Sequence, residues 1–315
     1  MSKPFIVVSD GMDKELFNIL KNVSELDVYS EAKMSRDKLK TLIGKTEGLV
    51  IRSATNVDKE LIDMAPKLKY VIRAGEGTDN IDKVYCKQKD IRVYNTTGAN
   101  NNSAAEHAIA LMMTVLRKTA WANTSMSKGE WEKSAFTGCE LWKKTVGIVG
   151  FGRIGQIVAK RISGFETNTL FFDPLVTQST KLANKVNTLE ELFQKSDIIT
   201  IHVPLIEQTK NLINKNLLEK MKSTAILINA ARGKIVNEED LLNVLKNKKI
   251  RGAGFDVFAQ EPLDKNSPLR NQENLVLTPH LGASTEEAQY RVGEMVINQL
   301  KEYFINNKLL NEVKA

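Results

Sequence analysis

The apolar run Thr145-Val-Gly-Ile-Val149 passes directly into Gly150-Phe-Gly152-Arg-Ile-Gly155 and then into an amphipathic stretch. A β-branched run, glycines at G-x-G-x-x-G spacing and a helical pattern leave little besides a strand, a tight turn and a crossover helix. The glycines permit the turn and let backbone approach a pyrophosphate, which then faces the N–H groups of the first helical turn. Asp173 closes the next strand candidate, 18 residues after Gly155. An acid at that place accepts hydrogen bonds from the adenosine ribose and repels a 2′-phosphate. Gly150, Gly152, Gly155 and Asp173 therefore predict a dinucleotide site, with NAD favoured over NADP. Arg153 has two readings, a phosphate partner or a solvated residue of the first turn.

The rest of the chain repeats the same alternation of short β-branched runs and amphipathic segments. Early strands are expected at Phe5–Ser9, Gly48–Arg52, Tyr70–Ala74 and Arg92–Asn95, with helices near Asp13–Leu20, Arg36–Ile43 and Asp58–Met64. Ser103–Arg117 reads as a long apolar helix with a serine at its start. A second series follows: strands at Thr145–Val149, Thr169–Phe172, Asp197–Ile201, Thr224–Asn229, Ala253–Val257 and Leu275–Thr278, with helices at Thr188–Phe193 and Glu238–Leu245. Ser284 to Asn306 closes the chain as a helix. The expected class is α/β, with two doubly wound, Rossmann-like parallel-sheet domains. Ligands of such sheets bind at the carboxyl ends of strands.

A hydride transfer that turns an alcohol into a carbonyl needs a group to take the hydroxyl proton, and imidazole suits that task at working pH. Three histidines are present. His107 lies inside the apolar helix and reads as packed or cap-linked. His202 ends a strand, in Ile198-Ile-Thr-Ile-His-Val-Pro204, and is either structural or cofactor-adjacent. His280 follows the last strand, among small residues that allow close approach, and is the candidate base. Arg232, in Asn229-Ala-Ala-Arg-Gly233, follows another strand and offers a planar fork to a carboxylate. Glu261, before Pro262, reads on position alone as a turn acid; beside His280 it would hold the ring. Asp256 reads as a strand-end or cofactor-side residue.

These segments, with Arg52-Ser-Ala-Thr55, Arg73-Ala-Gly-Glu-Gly-Thr-Asp-Asn80, Ser103-Ala-Ala-Glu106, Phe172-Asp-Pro174 and His280-Leu-Gly-Ala-Ser284, make the chain resemble the D-isomer-specific 2-hydroxyacid dehydrogenases. Within that family it is most similar to the phosphoglycerate branch, in a short form without C-terminal regulatory domains. The resemblance implies a catalytic set of Arg232, Glu261 and His280. It implies cofactor contacts from Arg153, Ile154, Asp173, His202, Val203, Pro204, Ala230, Ala231, Asp256, Gly282 and Ala283, and substrate contacts from Arg52, Ser53, Gly75, Glu76 and Gly77. It also implies a substrate-binding domain over residues 1–97 plus 283–315, an inserted NAD-binding domain over 98–282, substrate held between them, and a homodimer. Oxidation of D-3-phosphoglycerate to 3-phosphooxypyruvate, the step that opens serine synthesis, is the implied reaction. Glu76 departs from the family pattern, where a threonine or small apolar residue is common, and an acid there could repel an anionic substrate. Arg52, Arg73 and Lys133 are candidates for a substrate phosphate.

Other function classes fit less well. The net charge is +7, but the lysines are dispersed, so no nucleic-acid partner is expected. No apolar run approaches the roughly 20 residues of a membrane span, and no signal-peptide layout precedes the first strand, so a cytoplasmic enzyme is expected. Cys86 and Cys139 are far apart and read as structural thiols, with no metal site. Two alternatives stand beside the phosphoglycerate reading: a glyoxylate or hydroxypyruvate reductase, and an NAD-sensing corepressor that binds peptides.

Overall fold

The computed structural model describes residues 3–309 and 312–313. Its contacts divide the chain into two compact units, residues 1–100 with 283–315 and residues 101–282. The change of unit thus falls just before the long helix.

In the first unit, strands β1 (Phe5–Val8), β2 (Asp27–Ser30), β3 (Gly48–Ile51), β4 (Tyr70–Arg73) and β5 (Arg92–Asn95) form one sheet in the order β2-β1-β3-β4-β5. Every pairing is parallel. Apolar side chains fill both faces: Ile6, Val8, Val50 and Ile72 on one, Val7, Leu49, Ile51 and Val71 on the other. The Glu286–Phe304 helix belongs here because Val292, Val296, Ile297 and Leu300 enter the first of these cores. Gly293 allows it to approach closely, since a Cβ there would meet Leu16 Cδ1 at 2.3 Å. The strand order reverses between β1 and β3, so the crevice of this sheet opens beside Asp10 and Arg52.

The second unit has seven parallel strands: β6 (Thr145–Val149), β7 (Asn168–Phe172), β8 (Asn184–Lys185), β9 (Ile198–Ile201), β10 (Ile226–Asn229), β11 (Gly252–Phe255) and β12 (Leu275–Leu277). Their order is β12-β11-β10-β9-β6-β7-β8. This is the dinucleotide-binding order with one further strand at the edge, and it reverses between β6 and β9. The Asn101–Arg117 helix packs on β10 and β11, and glycine at 254 lets it in: a Cβ there would lie 3.3 Å from Leu111 Cβ. Two doubly wound parallel sheets are thus present, as the alternation predicts.

Two expectations need correction. The long helix begins at Asn101, so Ser103 is a buried residue inside it rather than its start. The sequence pattern also misses the edge strands β2 and β8. Asp27-Val-Tyr-Ser30 and Asn184-Lys185 are short and polar, because an edge strand is covered on fewer sides than a central one.

Candidate active site

The glycine turn sits at the reversal point of the seven-stranded sheet. Gly150 has φ +89°, and a Cβ there would meet the carbonyl oxygen of His202 and Val203 Cγ1, both at 2.6 Å. Gly155 presses against the turn itself, 2.3 Å from the Gly150 carbonyl oxygen to its would-be Cβ. Gly152 differs, for nothing lies within 4 Å of the space a Cβ would take. Its face is open, as backbone that must approach a ligand requires. The Arg153–Ile162 helix starts at Gly152 without a side-chain cap, which leaves its positive end for an anion.

Asp173 reaches back to this turn. Its Oδ2 accepts the Phe151 N–H at 2.7 Å and its Oδ1 accepts the Leu175 N–H at 2.8 Å. Each oxygen keeps a lone pair for a ribose hydroxyl. Lys185 donates its ammonium to the carbonyl oxygens of Asp173 and Val176, so that charge is occupied within the loop. Across the crevice, His202 bonds the Thr200 hydroxyl at 2.9 Å, and burial pushes its imidazole down to about 4. It is neutral at working pH, and Val203 and Pro204 follow it on the same strand end. Replacing Asp173 with alanine is expected to raise KM for NAD roughly 10- to 100-fold, the worth of hydrogen bonds to a charged group, while NADPH turnover improves. Steady-state kinetics with the two cofactors read both changes.

Glu261 and His280 meet directly, 2.7 Å between Oε2 and Nδ1, although 19 residues separate them. Both are partly exposed, and Glu261 Oε1 also accepts the Phe258 N–H at 3.0 Å. Burial pushes the Glu261 carboxyl up, but the bonds from His280 and Phe258 N–H outweigh it, so the group lies below the usual range and is ionised. The Glu261 charge facing Nδ1 leaves His280 Nε2 as the working nitrogen, and among the described residues no hydrogen bond is made to it. His280 itself has φ +56°, a conformation few non-glycine residues adopt.

Arg232 is brought to the same neighbourhood by its loop. Asn229, fully buried at the end of β10, donates to the Arg232 carbonyl oxygen at 3.0 Å and accepts the Ala231 N–H at 3.1 Å. Gly233 then lies so near the Phe258–Ala259 backbone that a Cβ would fall 1.9 Å from the Phe258 carbonyl carbon. The guanidinium Nη1 donates to the Ala231 carbonyl oxygen at 2.7 Å. Ala230 and Ala231 occupy the same strand end, each packed partly against one of the two cores of the unit.

Asp256 directly follows β11. It is fully buried, and four donors inside the unit engage its carboxylate: Thr278 Oγ1, Leu281 N–H, Gly282 N–H and His107 Nε2. The roles of Asn229, Gly233 and Thr278 carry no signal in the sequence, since they act on backbone that only the fold brings near. Ala283 opens the segment that returns to the first unit.

In the first unit, Arg52 and Arg73 end neighbouring strands, with Ile51 paired to Arg73. Asp10 takes the N–H groups of Arg52 (2.6 Å) and Thr55 (3.1 Å), while Asn80 donates to the carbonyl oxygens of both residues, at 2.7 and 2.6 Å. Ser53, between them, is exposed. Gly75 has φ +149°, with its would-be Cβ 1.4 Å from Arg73 Nη1. The Glu76 carboxylate accepts the Gly98 N–H at 2.7 Å, so part of its charge is answered by backbone. Gly77 follows, half-buried. Lys133 lies in the other unit, exposed in the short turn Lys133–Phe136.

Residues 109–282 match the family model described as D-isomer specific 2-hydroxyacid dehydrogenase, NAD binding domain. A hydroxypyruvate reductase from Thermotoga maritima is 43% identical over 302 residues, covering 95% of this chain and 98% of the relative. A D-3-phosphoglycerate dehydrogenase from Archaeoglobus fulgidus is 41% identical over 308 residues, but the match spans 58% of that protein. The chain belongs to the D-isomer-specific 2-hydroxyacid dehydrogenases. Among solved structures, an NAD-dependent formate dehydrogenase from Staphylococcus aureus in complex with NAD superposes with a TM-score of 0.90, at 31% identity and 99% coverage of both chains. NAD is the cofactor of this dehydrogenase, as the acid at Asp173 predicts. The open face at Gly152 and the uncapped helix beside it fit its pyrophosphate. Among the described residues no cluster of ligands could hold a metal ion, and no helix is long and apolar enough to cross a membrane.

Proposed function

We propose that this dehydrogenase oxidises D-3-phosphoglycerate to 3-phosphooxypyruvate, with His280 as the proton-transfer group. The observation that carries the reading is the 2.7 Å contact between His280 Nδ1 and an ionised Glu261, which leaves Nε2 to act as the base. The Gly150–Gly155 turn and Asp173 would hold NAD, which would supply the hydride acceptor for C2. His280 Nε2 removes the proton from the C2 hydroxyl, and Glu261 holds the ring and offsets the charge it gains. The Arg232 guanidinium binds the carboxylate and polarises the C2 oxygen. In the first unit, Ser53 and the backbone of Gly75-Glu76-Gly77 are assigned to the substrate carboxylate and hydroxyls. Arg52 and Arg73, at adjacent strand ends, are assigned to the phosphate.

A second reading, reduction of hydroxypyruvate to D-glycerate, has two specific supports. The Thermotoga relative matches this chain over nearly its whole length. Glu76 also places a carboxylate in the glycine loop, which disfavours a phosphorylated substrate. Turnover followed at the nicotinamide absorbance with the phosphorylated and unphosphorylated pairs decides between them. The phosphate contacts are expected to raise kcat/KM roughly 10- to 100-fold over the unphosphorylated acid. Faster reaction with hydroxypyruvate than with 3-phosphooxypyruvate would hand the assignment to the second reading.

A further inference from the structure

His107 reads from the sequence as a packed or cap-linked residue of an apolar helix, and its ring nitrogen makes specific bonds. Nε2 lies 3.1 Å from Thr278 Oγ1 and 3.1 Å from Asp256 Oδ1. The Thr278 hydroxyl has one proton, and it is committed to Asp256 Oδ1 at 2.6 Å. Toward the imidazole both oxygens are therefore acceptors, so Nε2 must carry a proton and share it between them. A residue placed only for packing would not need that arrangement, and its partner is a carboxylate with no exposed surface.

What Asp256 holds is the turn that carries His280. The Asp256 carbonyl oxygen accepts the His280 N–H at 2.8 Å. Its carboxylate takes the next two N–H groups along the chain, Leu281 to Oδ1 at 2.7 Å and Gly282 to Oδ2 at 2.9 Å. Those bonds secure the left-handed backbone of His280, a conformation that persists only where surrounding structure enforces it. All of these residues lie in the 101–282 unit.

We propose that His107 is a positioning residue for the proton-transfer step: by donating from Nε2 to Asp256 it steadies the Thr278–Gly282 turn and keeps the His280 imidazole aligned with Glu261. The inference rests on His280 being the base. Without the donor, the buried carboxylate must find a replacement partner, and the turn built on it loosens. Misplacement of a catalytic group by about 1 Å costs on the order of 10²-fold in rate.

His107→Gln and His107→Asn separate this role from packing. A glutamine amide nitrogen reaches the position of Nε2, whereas an asparagine amide falls short of Asp256. In assays with NADH and both 3-phosphooxypyruvate and hydroxypyruvate, H107N is expected to lose roughly 10- to 100-fold in kcat. KM and the NADH dissociation constant should stay within about threefold of the parent, and H107Q should recover most of kcat. Parental kcat in H107N overturns the proposal. So does an H107Q enzyme more than about tenfold slower than the parent, however H107N folds, because its donor is in place. His280→Asn, run in parallel, distinguishes the two levels. If it turns over normally, the base reading and this one fall together; if it is inactive while H107N is normal, only the role of His107 falls.

Discussion

His280→Asn should lower kcat by roughly 10²- to 10⁴-fold, the usual worth of a positioned proton transfer, while NADH still binds. The two effects separate because the pyrophosphate and ribose are assigned to loops other than the one that carries His280. The pyrophosphate cradle is made by Gly150, Gly152 and the uncapped start of the Arg153–Ile162 helix, and the ribose acid is Asp173. None of these touches the Glu261–His280 pair. Fluorescence titration with NADH measures the retained binding, and a burst experiment locates the lost step. Glu261 sharpens the expectation, because its lowered pKa keeps it ionised across the range in which an imidazole titrates. In the variant the asparagine amide can still donate to Glu261 from near the place of Nδ1, so what is lost is the proton-accepting Nε2. Turnover within a few-fold of the parent would remove His280 from the chemistry.

How much of this was legible in the residues depends on whether the information is local. The buried strands announce themselves because both faces are covered: Ile198-Ile-Thr-Ile201 and Ile226-Leu-Ile-Asn229 are near-continuous apolar runs. The glycine turn is legible for the same reason, since strand, glycines, helix and acid all lie within one crossover. Glu261 is the opposite case. Between its carboxylate and His280 lie β12 and two turns, and no spacing rule connects them; the likeness to a family supplied the pairing before the geometry did. Beyond reach entirely were the contacts made to backbone. Asn229 clamps the Arg232 loop, Gly233 clears the Phe258 carbonyl, and Asp256 collects the N–H groups of the turn that ends the neighbouring strand. A side chain that bonds main chain leaves no complementary residue in the sequence to betray it. His107 reads as packed or cap-linked from its place in the apolar helix, and its bonds to Thr278 and Asp256 are again of the kind that spacing does not reveal.

Arg232 is expected to be as costly to lose, but in a different kinetic signature. Arg232→Leu removes a charge-assisted fork from a substrate carboxylate, an interaction worth about 2–5 kcal/mol when one partner is truncated. That corresponds to roughly 30- to 4000-fold in kcat/KM. Because the guanidinium also polarises the C2 oxygen, the loss should fall on kcat as well as KM, rather than on KM alone as a pure binding contact would. Arg232→Lys tests the geometry. It keeps a positive charge but replaces two parallel N–H donors with a point charge, so it should recover part of KM and little of kcat. The loop gives reason to expect a clean experiment: its backbone is fixed by Asn229 on one side and by the Gly233 contact with Phe258 on the other, neither of which uses the Arg232 side chain. Unchanged melting temperature with a collapsed kcat/KM is the expected pair of results. A lysine variant that matches the parent in both constants would mean that the fork does not engage the reacting acid.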